Sequence, residues 1–272
     1  MNQWPLYNLN ELSKDNIDDH IFELYSENTP PNNLGFIDKS RNNLLVTLPQ
    51  SQMDLNINQS ISQLSSKTSK NSTTGFICWQ VSVLFADWLL SKGCPFRLNK
   101  ELVVLELGSG IGGVCASSLS SKVGNFIATD QKHILKLLKE NITSNCEFRS
   151  STIEVSNKSS TIIDVIEFDW EELEQGMYNY GKVSDTLPNL VIACDTIYNE
   201  YLITPFINTL KTLLVGDAIA LVAVQLRDAI TLENFVTTLV NDQELKAFNV
   251  PKQCLSDELS VGFQVYCIKK AS

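Results

Sequence analysis

The chain has 272 residues and a formal net charge of −10, with 31 acidic and 21 basic side chains. That length suits one large α/β domain with an extension, and the acidic balance argues against a nucleic acid partner, which would need a basic face. Seven cysteines without C-x-x-C spacing indicate neither a disulfide framework nor a zinc site. We therefore expect no bound metal, and a basic protein as the partner.

Residues 1–70 are predicted to form an N-terminal extension with a helix and short strands. Apolar residues recur at helical spacing from residue 13 to residue 25, and 44–48 and 55–61 have extended patterns typical of a small ribbon. The polar stretch 65–74 then marks a boundary, which leaves residues 71–272 as the main domain. The alternative is that this stretch is a loop inside a single domain.

No segment has the pattern of a signal peptide or of a membrane span. Residues 1–12 lack a basic region and an apolar region, and the longest apolar run, 218–224, is far shorter than the roughly 20 residues of a membrane helix. The sequence therefore predicts a cytoplasmic protein without membrane contact, and a nuclear pool is compatible with it. We expect it to act as a monomer.

A helix is predicted from Gly75, because Trp79, Val83 and Trp88 form an apolar stripe and Gly93 follows as a stop signal. A tryptophan on such a stripe belongs more often to the core than to a ligand site. Trp79 by itself therefore does not indicate a function.

A glycine-rich turn follows the first strong strand pattern. Residues 102–107 form a buried apolar strand pattern, and Gly108 and Gly110 allow the backbone to approach a ligand closely. The helix predicted over 111–119 would point its free N–H groups at the same ligand. The alternative is a turn that only lets a helix and a strand pack closely.

Two acidic residues indicate which ligand the turn holds. Asp130 lies at the end of a second predicted strand, 20 residues after Gly110, where a carboxylate can accept the hydroxyls of a ribose. Glu106 lies two positions before Gly108, and a negative charge there suits a cationic ligand better than a pyrophosphate. Asp130 is also placed to act as the N-cap of the next helix, and both roles are compatible.

The second half of the chain continues the alternation of strands and helices. Strands are predicted at 162–168 and 190–193, followed by Asp169-Trp170 and by Cys194 to Tyr198 respectively. Further elements are predicted at 200–214 (helix), 219–226 (strand), 231–239 (helix) and 263–267 (a last, antiparallel strand). This order predicts a doubly wound α/β fold, in which the two polar strand ends at Gly108 and at Asp195 face one crevice.

These motifs together resemble those of a known enzyme family. The E-x-G-x-G-x-G segment resembles the first motif of class I S-adenosylmethionine methyltransferases. Residues 74–79, 106–112, 169–170 and 195–198 are similar to the protein-lysine methyltransferases of methyltransferase family 16. The resemblance spans most of residues 73–268. It implies a mostly parallel seven-stranded sheet and S-adenosyl-L-methionine as cofactor.

The resemblance and the residue chemistry together assign the site. Cofactor-binding roles are predicted for Trp79, Glu106, Gly108, Ser109, Gly110, Asp130, Trp170 and Cys194. By resemblance Trp79 lines the cofactor pocket and Trp170 the adenine pocket, although a tryptophan at the sheet rim is the alternative for Trp170. Asp195 is predicted to orient the acceptor amine and Tyr198 to form the wall of its channel. The proton acceptor stays open, because neither His20 nor His133 lies near a motif.

Residues 71–75, 95–98, 129–132 and 197–202 show a closer resemblance to family members that methylate ribosomal lysines. It implies a large-subunit ribosomal protein as substrate, in agreement with the net charge. A nucleic-acid methyltransferase is disfavoured, because the fourth strand ends in Asp-Thr-Ile-Tyr instead of Asn-Pro-Pro-Tyr. Two alternatives remain: a nicotinamide-dependent oxidoreductase that uses the same glycines, and a cofactor-binding interaction protein without transferase activity.

Overall fold

The structure, a computed structural model, describes residues 4–27, 35–64, 74–151 and 161–271. Its strands are β1 (Asn10–Glu11), β2 (Asn43–Leu48), β3 (Met53–Asn58), β4 (Val103–Leu107), β5 (Asn125–Asp130), β6 (Ile163–Glu167), β7 (Leu190–Cys194), β8 (Ile219–Gln225), β9 (Leu245–Asn249) and β10 (Phe263–Lys270). Its helices are α1 (Ile17–Glu27), α2 (Ile61–Leu64), α3 (Gln80–Leu90), α4 (Val114–Leu119), α5 (Leu135–Asn145), α6 (Leu173–Tyr180), α7 (Ile203–Leu213) and α8 (Ala229–Asn241).

One central sheet carries the fold, in the order β1-β9-β10-β8-β7-β4-β5-β6. The five strands β6, β5, β4, β7 and β8 are parallel, and β10 joins β8 antiparallel. β4, β7 and β8 are almost wholly buried, as their apolar sequences predict for strands covered on both faces. The doubly wound, mostly parallel sheet and the antiparallel last strand are therefore confirmed.

The carboxyl ends of β4 and β7 meet where the strand order reverses. The chain continues from β4 to β5 on one side, and β7 lies on the other side in parallel register, with Leu107 opposite Ala193. Ligands of open α/β sheets bind at such a reversal, because the loops that leave the two strands diverge there and open a crevice. The turn after β4 and the segment after β7 therefore face each other.

Two layers of helices cover the sheet. The first buried cluster includes side chains of α3, α4 and α5 and of the ribbon formed by β2 and β3. The second includes side chains of α1, α6, α7 and α8. None of the helices within the described ranges is both long enough and apolar enough to cross a membrane.

Residues before the predicted boundary are joined closely to the main domain. β1 adds an eighth strand to the sheet, because Asn10 and Glu11 pair with β9. The ribbon is tied to α5 by Asn141, whose side chain accepts a bond from Asn58 N–H (2.8 Å) and donates to the carbonyls of Asn58 (2.8 Å) and Ile111 (2.6 Å). The boundary predicted at 65–74 lies, except for Thr74, outside the described residues, so the division into 1–70 and 71–272 stays a prediction.

Several predicted element ends differ from the structure. α3 begins at Gln80 instead of Gly75, because residues 74–76 form a 3-10 turn and Trp79 has extended backbone at the N-cap. α4 begins at Val114, after Gly113 in a left-handed conformation, instead of at residue 111. The extended segment ends at Asn58 and is followed by α2. The sequence patterns also missed α6 and β9.

Candidate active site

A turn with two left-handed glycines begins the site. Immediately after β4, Gly108 and Gly110 have φ angles of +72° and +58°, which side chains rarely tolerate. A Cβ atom on Gly108 would lie 3.0 Å from Thr196 Cγ2 and 3.3 Å from Trp170 Cζ2. Glycine therefore brings the backbone of the turn close to both the β7 segment and the predicted adenine pocket.

A cavity of about 270 Å³ lies above this turn. Its lining includes every residue that the sequence predicted for the site, namely Trp79, Glu106, Gly108, Ser109, Gly110, Asp130, Trp170, Cys194, Asp195 and Tyr198. Residues from β4, β5, β7 and the start of α3 thus share one space. The tertiary structure brings the predicted cofactor residues and the two predicted catalytic residues together.

Glu106 lies at the floor of this cavity, and one of its carboxylate oxygens is an unused hydrogen-bond acceptor. Only 2% of the residue is exposed, and its Oε2 atom has no hydrogen-bond partner. Burial raises the pKa of the carboxyl from 4.5 to about 7, and bonds from Ser109 and Cys115 oppose that effect only in part. An unpaired carboxylate oxygen at this position fits a ligand that carries an ammonium group.

Asp130 is held by the backbone of the turn. Its Oδ2 accepts a bond from Gly110 N–H and its Oδ1 from Gln131 N–H, each at 2.8 Å. Burial nevertheless raises the pKa of Asp130 from 3.8 to about 6. Both oxygens keep a further lone pair that can accept a ribose hydroxyl. The alternative role as a helix N-cap is wrong, because Ile134 occupies that position of α5.

An aromatic and polar edge lies beside Asp130. The rings of Trp170 and Phe206 pack in a T-shaped arrangement, with ring centroids 5.0 Å apart, and Trp170 also lines the cavity. Next to it, Asp169 accepts a bond of 2.9 Å from the Gln131 side chain. An aromatic face and a carboxylate together suit a purine with an exocyclic amine. The arrangement fits the adenine pocket that the family resemblance implies.

The opening of the cavity is narrowed by two aromatic residues. Trp79 donates a bond of 3.0 Å from its indole nitrogen to the Thr74 carbonyl. Thr74 Oγ1 in turn donates a 3.0 Å bond to the hydroxyl oxygen of Tyr198, a residue that is 40% exposed. Tyr198 therefore lies at the mouth, where a side chain that enters from solvent must pass it.

Asp195 lies deeper, in an unusual backbone conformation and in an ion pair. Its φ angle of +59° is left-handed, and its N–H donates a bond of 2.8 Å to the Ala223 carbonyl. The carboxylate pairs with the guanidinium of Arg227, and 3% of the Asp195 side chain is exposed. Burial raises the pKa of Asp195, while the charge of Arg227 and a hydrogen bond from it act in the opposite direction.

Sequence reasoning missed Arg227, although a signal for it was present. Arg227 follows β8 by two residues, so it lies at the same carboxyl edge of the sheet as Gly108 and Asp195. Thr196, whose buried Oγ1 has no hydrogen-bond partner, was also missed. Arg227 could have been found by applying the strand-end argument to every strand of the sheet, whereas Thr196 lies within the segment after β7 that this argument had already selected.

A buried thiol pair adjoins Glu106. Within the described part of the chain, Glu106, Cys115 and Cys194 bring three potential metal-ligand atoms within 4.8 Å of one another. The pKa of both thiols is raised, for Cys115 mainly by its hydrogen bond with Cys194 and for Cys194 mainly by burial. Thiols that keep their protons can donate hydrogen bonds. Glu106 and Cys194 line the cavity, and Cys115 supports both of them by hydrogen bonds.

His20 is part of the core. It contacts Tyr266 through a bond of 3.1 Å, and burial lowers its pKa to about 4. His133 packs against the ring of Phe76, with centroids 5.5 Å apart. Neither residue is in the cavity lining, so the structure gives no histidine base to the site.

Comparison with known proteins identifies the family. The lysine methyltransferase family model matches residues 58–242, which is more than half of the chain. The chain belongs to the lysine methyltransferase family. Membership confirms the family resemblance stated from the motifs, the enzyme class, and S-adenosylmethionine as the cofactor. The residues Glu106, Asp130 and Trp170 fit that cofactor by the unpaired oxygen, the remaining lone pairs and the aromatic edge described above.

Two relatives align with this chain over nearly their whole length. Ribosomal lysine N-methyltransferase 5 of Lachancea thermotolerans is 30% identical, and the alignment covers 86% of this chain and 91% of that protein. The protein of the same name from Vanderwaltozyma polyspora is 29% identical, with 95% of this chain and 98% of that protein covered.

Solved structures show a more distant likeness. Human N-acetylserotonin methyltransferase in complex with SAM is 12% identical with a TM-score of 0.42, and the superposition covers 71% of this chain and 53% of that chain. SMU.776, complexed with SAH, is 9% identical with a TM-score of 0.49, covering 86% and 57%. Likenesses this distant do not indicate a function.

Proposed function

We propose that this chain methylates a lysine of a large-subunit ribosomal protein before that protein enters the ribosome. The observation that carries the proposal is the meeting of the cofactor turn after β4 and the Asp195–Tyr198 segment after β7 in one cavity. The names of the relatives support a ribosomal substrate. The acidic charge of the chain supports a basic protein.

The cofactor side of the cavity is assigned by chemistry. Glu106 would accept the ammonium of S-adenosylmethionine, Asp130 the ribose hydroxyls, and Trp170 the face of the adenine. The backbone of Gly108 to Gly110 would lie against the sugar and the methionine chain. When bound, the cofactor supplies a methyl group on a sulfonium, which is already activated toward a nucleophile.

The acceptor side has to align an amine and to keep water out. Tyr198 at the mouth is placed to form one wall of the lysine channel, and its hydroxyl is anchored by Thr74. Asp195 lies behind it, with a buried carboxylate that can accept a bond from the amine. When the lone pair of the amine is held in line with the methyl group, the reactants no longer have to find that alignment by chance. Such alignment is a large part of what catalysis requires here.

The surroundings of the opening favour a positively charged substrate. Asp169 and Glu171 line the cavity, and Glu200 is exposed beside it. Acidic groups around an opening raise the rate of encounter with a basic protein, and this advantage falls as salt shortens the screening length to about 10 Å near 0.1 M. A free ribosomal protein presents its positive charge fully, whereas RNA neutralises it after assembly.

The test uses labelled S-adenosylmethionine and two forms of the acceptor. Large-subunit ribosomal proteins from cells that lack this enzyme are offered either free or in intact subunits, over a series of salt concentrations. We expect one labelled ribosomal protein, faster labelling of the free form, and rates that fall with salt. Absence of label from every large-subunit ribosomal protein would refute the substrate class, and equal rates on both forms would refute the timing.

The variant Asp195→Asn tests the acceptor side separately from the cofactor side. Asparagine is the suitable replacement, because it tolerates the left-handed backbone of residue 195. This variant should bind the cofactor with unchanged affinity in calorimetry and transfer methyl groups about a hundredfold more slowly. A parallel loss of cofactor affinity would show that Asp195 belongs to the cofactor site instead of the acceptor site.

A further inference from the structure

Arg227 faces the acceptor carboxylate from the neighbouring strand. β7 and β8 are parallel, so Asp195 and Arg227 leave the same edge of the sheet, one and two residues after their strands. Their side chains form an ion pair in which 22% of the arginine and 3% of the aspartate is exposed. The Gln225 N–H lies 3.5 Å from Asp195 Oδ1. The carboxylate is thereby fixed by groups of the neighbouring strand end.

The guanidinium itself is held on several sides. It donates a bond of 2.9 Å to the Gln225 side-chain oxygen and lies over the Trp79 ring, 5.0 Å from its centroid. Phe36 packs on Trp79 with ring centroids 4.9 Å apart. A Cβ atom on Gly35 would overlap Gln225 and come within 2.9 Å of the arginine. An arginine packed in this way is a rigid group instead of a mobile surface cation.

The segment that holds the arginine comes from the first part of the chain. Gln80 N–H donates to the Gly35 carbonyl at 2.8 Å, and Ile37 N–H donates to the Cys78 carbonyl at 3.3 Å. These bonds join Gly35 and Phe36 to the start of α3, where Trp79 is positioned. The predicted extension therefore contributes to the acceptor side of the site.

A methyltransferase that acts on lysine must receive a neutral amine. A lysine amine with a pKa of about 10.4 is almost entirely protonated near neutral pH, and a lone carboxylate beside it would raise that pKa further. Within the described residues, the cavity lining contains acids but neither lysine nor arginine. Without a cation behind Asp195, the site would hold the acceptor as an unreactive ammonium.

We propose that Arg227 is a positioning residue, an inference that rests on the proposed lysine transfer. Arg227 orients Asp195 and offsets its negative charge, so that the bound acceptor amine can lose its proton. The ammonium then sits against an already paired carboxylate, and its proton leaves to solvent before the nitrogen attacks the methyl carbon. The nitrogen–carbon bond forms as the sulfur–carbon bond breaks, with the electron pair of that bond staying on sulfur.

Other charged or titratable groups lie around this pair and are present in every Arg227 variant. They are Glu106, Asp130, Asp169, Glu171, Cys194 and Tyr198 in the cavity lining, Asp228 at the N-cap of α8, and Lys39 over the Phe36 ring at 5.7 Å. The wild type and the Arg227 variants therefore differ in only one of the charged groups at this site.

The test compares pH–rate profiles of the wild type, Arg227→Met and Arg227→Lys on the free ribosomal protein. Removal of the cation should shift the acidic limb of kcat upward by about one pH unit, and so lower kcat about tenfold at pH 7.5. The KM for the ribosomal protein should stay equal or fall, because the Asp195 carboxylate then interacts with the substrate ammonium without competition from Arg227. The rate of Arg227→Met should approach that of the wild type at high pH, and Arg227→Lys should restore most of the profile.

Arg41→Met is the matched control, since Arg41 is an exposed arginine and its loss changes the net charge equally. Calorimetry with the cofactor verifies that each variant is folded, and Arg227→Gln replaces the methionine variant if that variant does not fold. An unshifted acidic limb would overturn the inference, as would a loss of rate at every pH together with a raised KM. Absence of transfer by the wild type would overturn the proposed function, and the inference with it.

Discussion

Replacing Glu106 with glutamine should stabilise the protein and weaken its cofactor binding at the same time. Glu106 is buried at the cavity floor, and burial raises the pKa of its carboxyl from 4.5 to about 7. Its Oε2 has no partner in the protein. The negative charge is therefore costly to the fold, and it is placed where the ammonium of the cofactor would compensate for it.

The sign and the size of the effect follow from the two pKa values. Below pH 4.5 the carboxyl is neutral in both the folded and the unfolded chain. As the pH rises toward 7 the unfolded chain releases the proton first, so the free energy of unfolding falls, and above pH 7 the full cost is present. A difference of about 2.5 pH units corresponds to about 3 kcal/mol. Glutamine has nearly the same shape and no charge, so it avoids this cost.

The assay is denaturant unfolding of cofactor-free wild type and Glu106→Gln at pH 5 and pH 8. We expect the variant to exceed the wild type in free energy of unfolding by up to about 3 kcal/mol at pH 8, and by much less at pH 5. Calorimetry at pH 8 should show the affinity for S-adenosylmethionine lowered roughly tenfold to a hundredfold, equivalent to about 1.5–3 kcal/mol. In the wild type, affinity should fall as the pH drops below 7, because Glu106 then takes up a proton.

The control is Glu101→Gln, an exposed acid shortly before the same strand, which should change neither quantity. The reasoning is refuted if Glu106→Gln is no more stable than the wild type at pH 8. It is also refuted if the stabilised variant keeps full cofactor affinity, because the carboxylate would then not face the ammonium.

Two further predictions test other parts of the site and its support. Asp130→Ala should lower cofactor affinity by about 1.5–3 kcal/mol in calorimetry through the lost ribose contacts, and unchanged affinity would contradict the assignment. Asn141→Leu should lower the free energy of unfolding by at least about 2 kcal/mol, because it removes the partner of the buried Ile111 carbonyl and of two part-buried backbone groups of Asn58. Asn145→Leu, which removes similar but exposed bonds to Asn56, is the comparison and should cost less than about 1 kcal/mol. Equal losses in the two variants would show that burial of these bonds does not matter.

Local sequence determined the cofactor side of the site. A short apolar strand, glycines at fixed spacing and acids at Glu106 and Asp130 are all encoded within about 30 residues. The conformation of such a turn depends on the residues that form it, because the left-handed backbone at Gly108 and Gly110 requires glycine. The doubly wound fold was also predicted from local patterns, because apolar strands and helices alternate along the chain.

Element ends were predicted less well, since they depend on contacts made after folding. Trp79 has the spacing of a helical residue, yet it lies at an N-cap because its indole is held by the Thr74 carbonyl and its ring by Phe36. β1 was missed because it has two residues and forms a strand only by pairing with β9. β9 was missed because its sequence, LKAFN, lacks the continuous apolar run that marks the buried strands, and it becomes a strand by pairing with β10.

The acceptor side shows most clearly where sequence reasoning ends. The sequence by itself determined that Asp195 and Tyr198 follow a buried strand, and from this their place in the crevice follows. It could not determine that Arg227 pairs with Asp195, or that Gly35 and Phe36 pack beside that arginine, because these residues are separated by 32 to 192 positions and meet only in the folded chain. The charge state of a buried carboxylate depends on burial and on neighbours in space, and only the tertiary structure decides both.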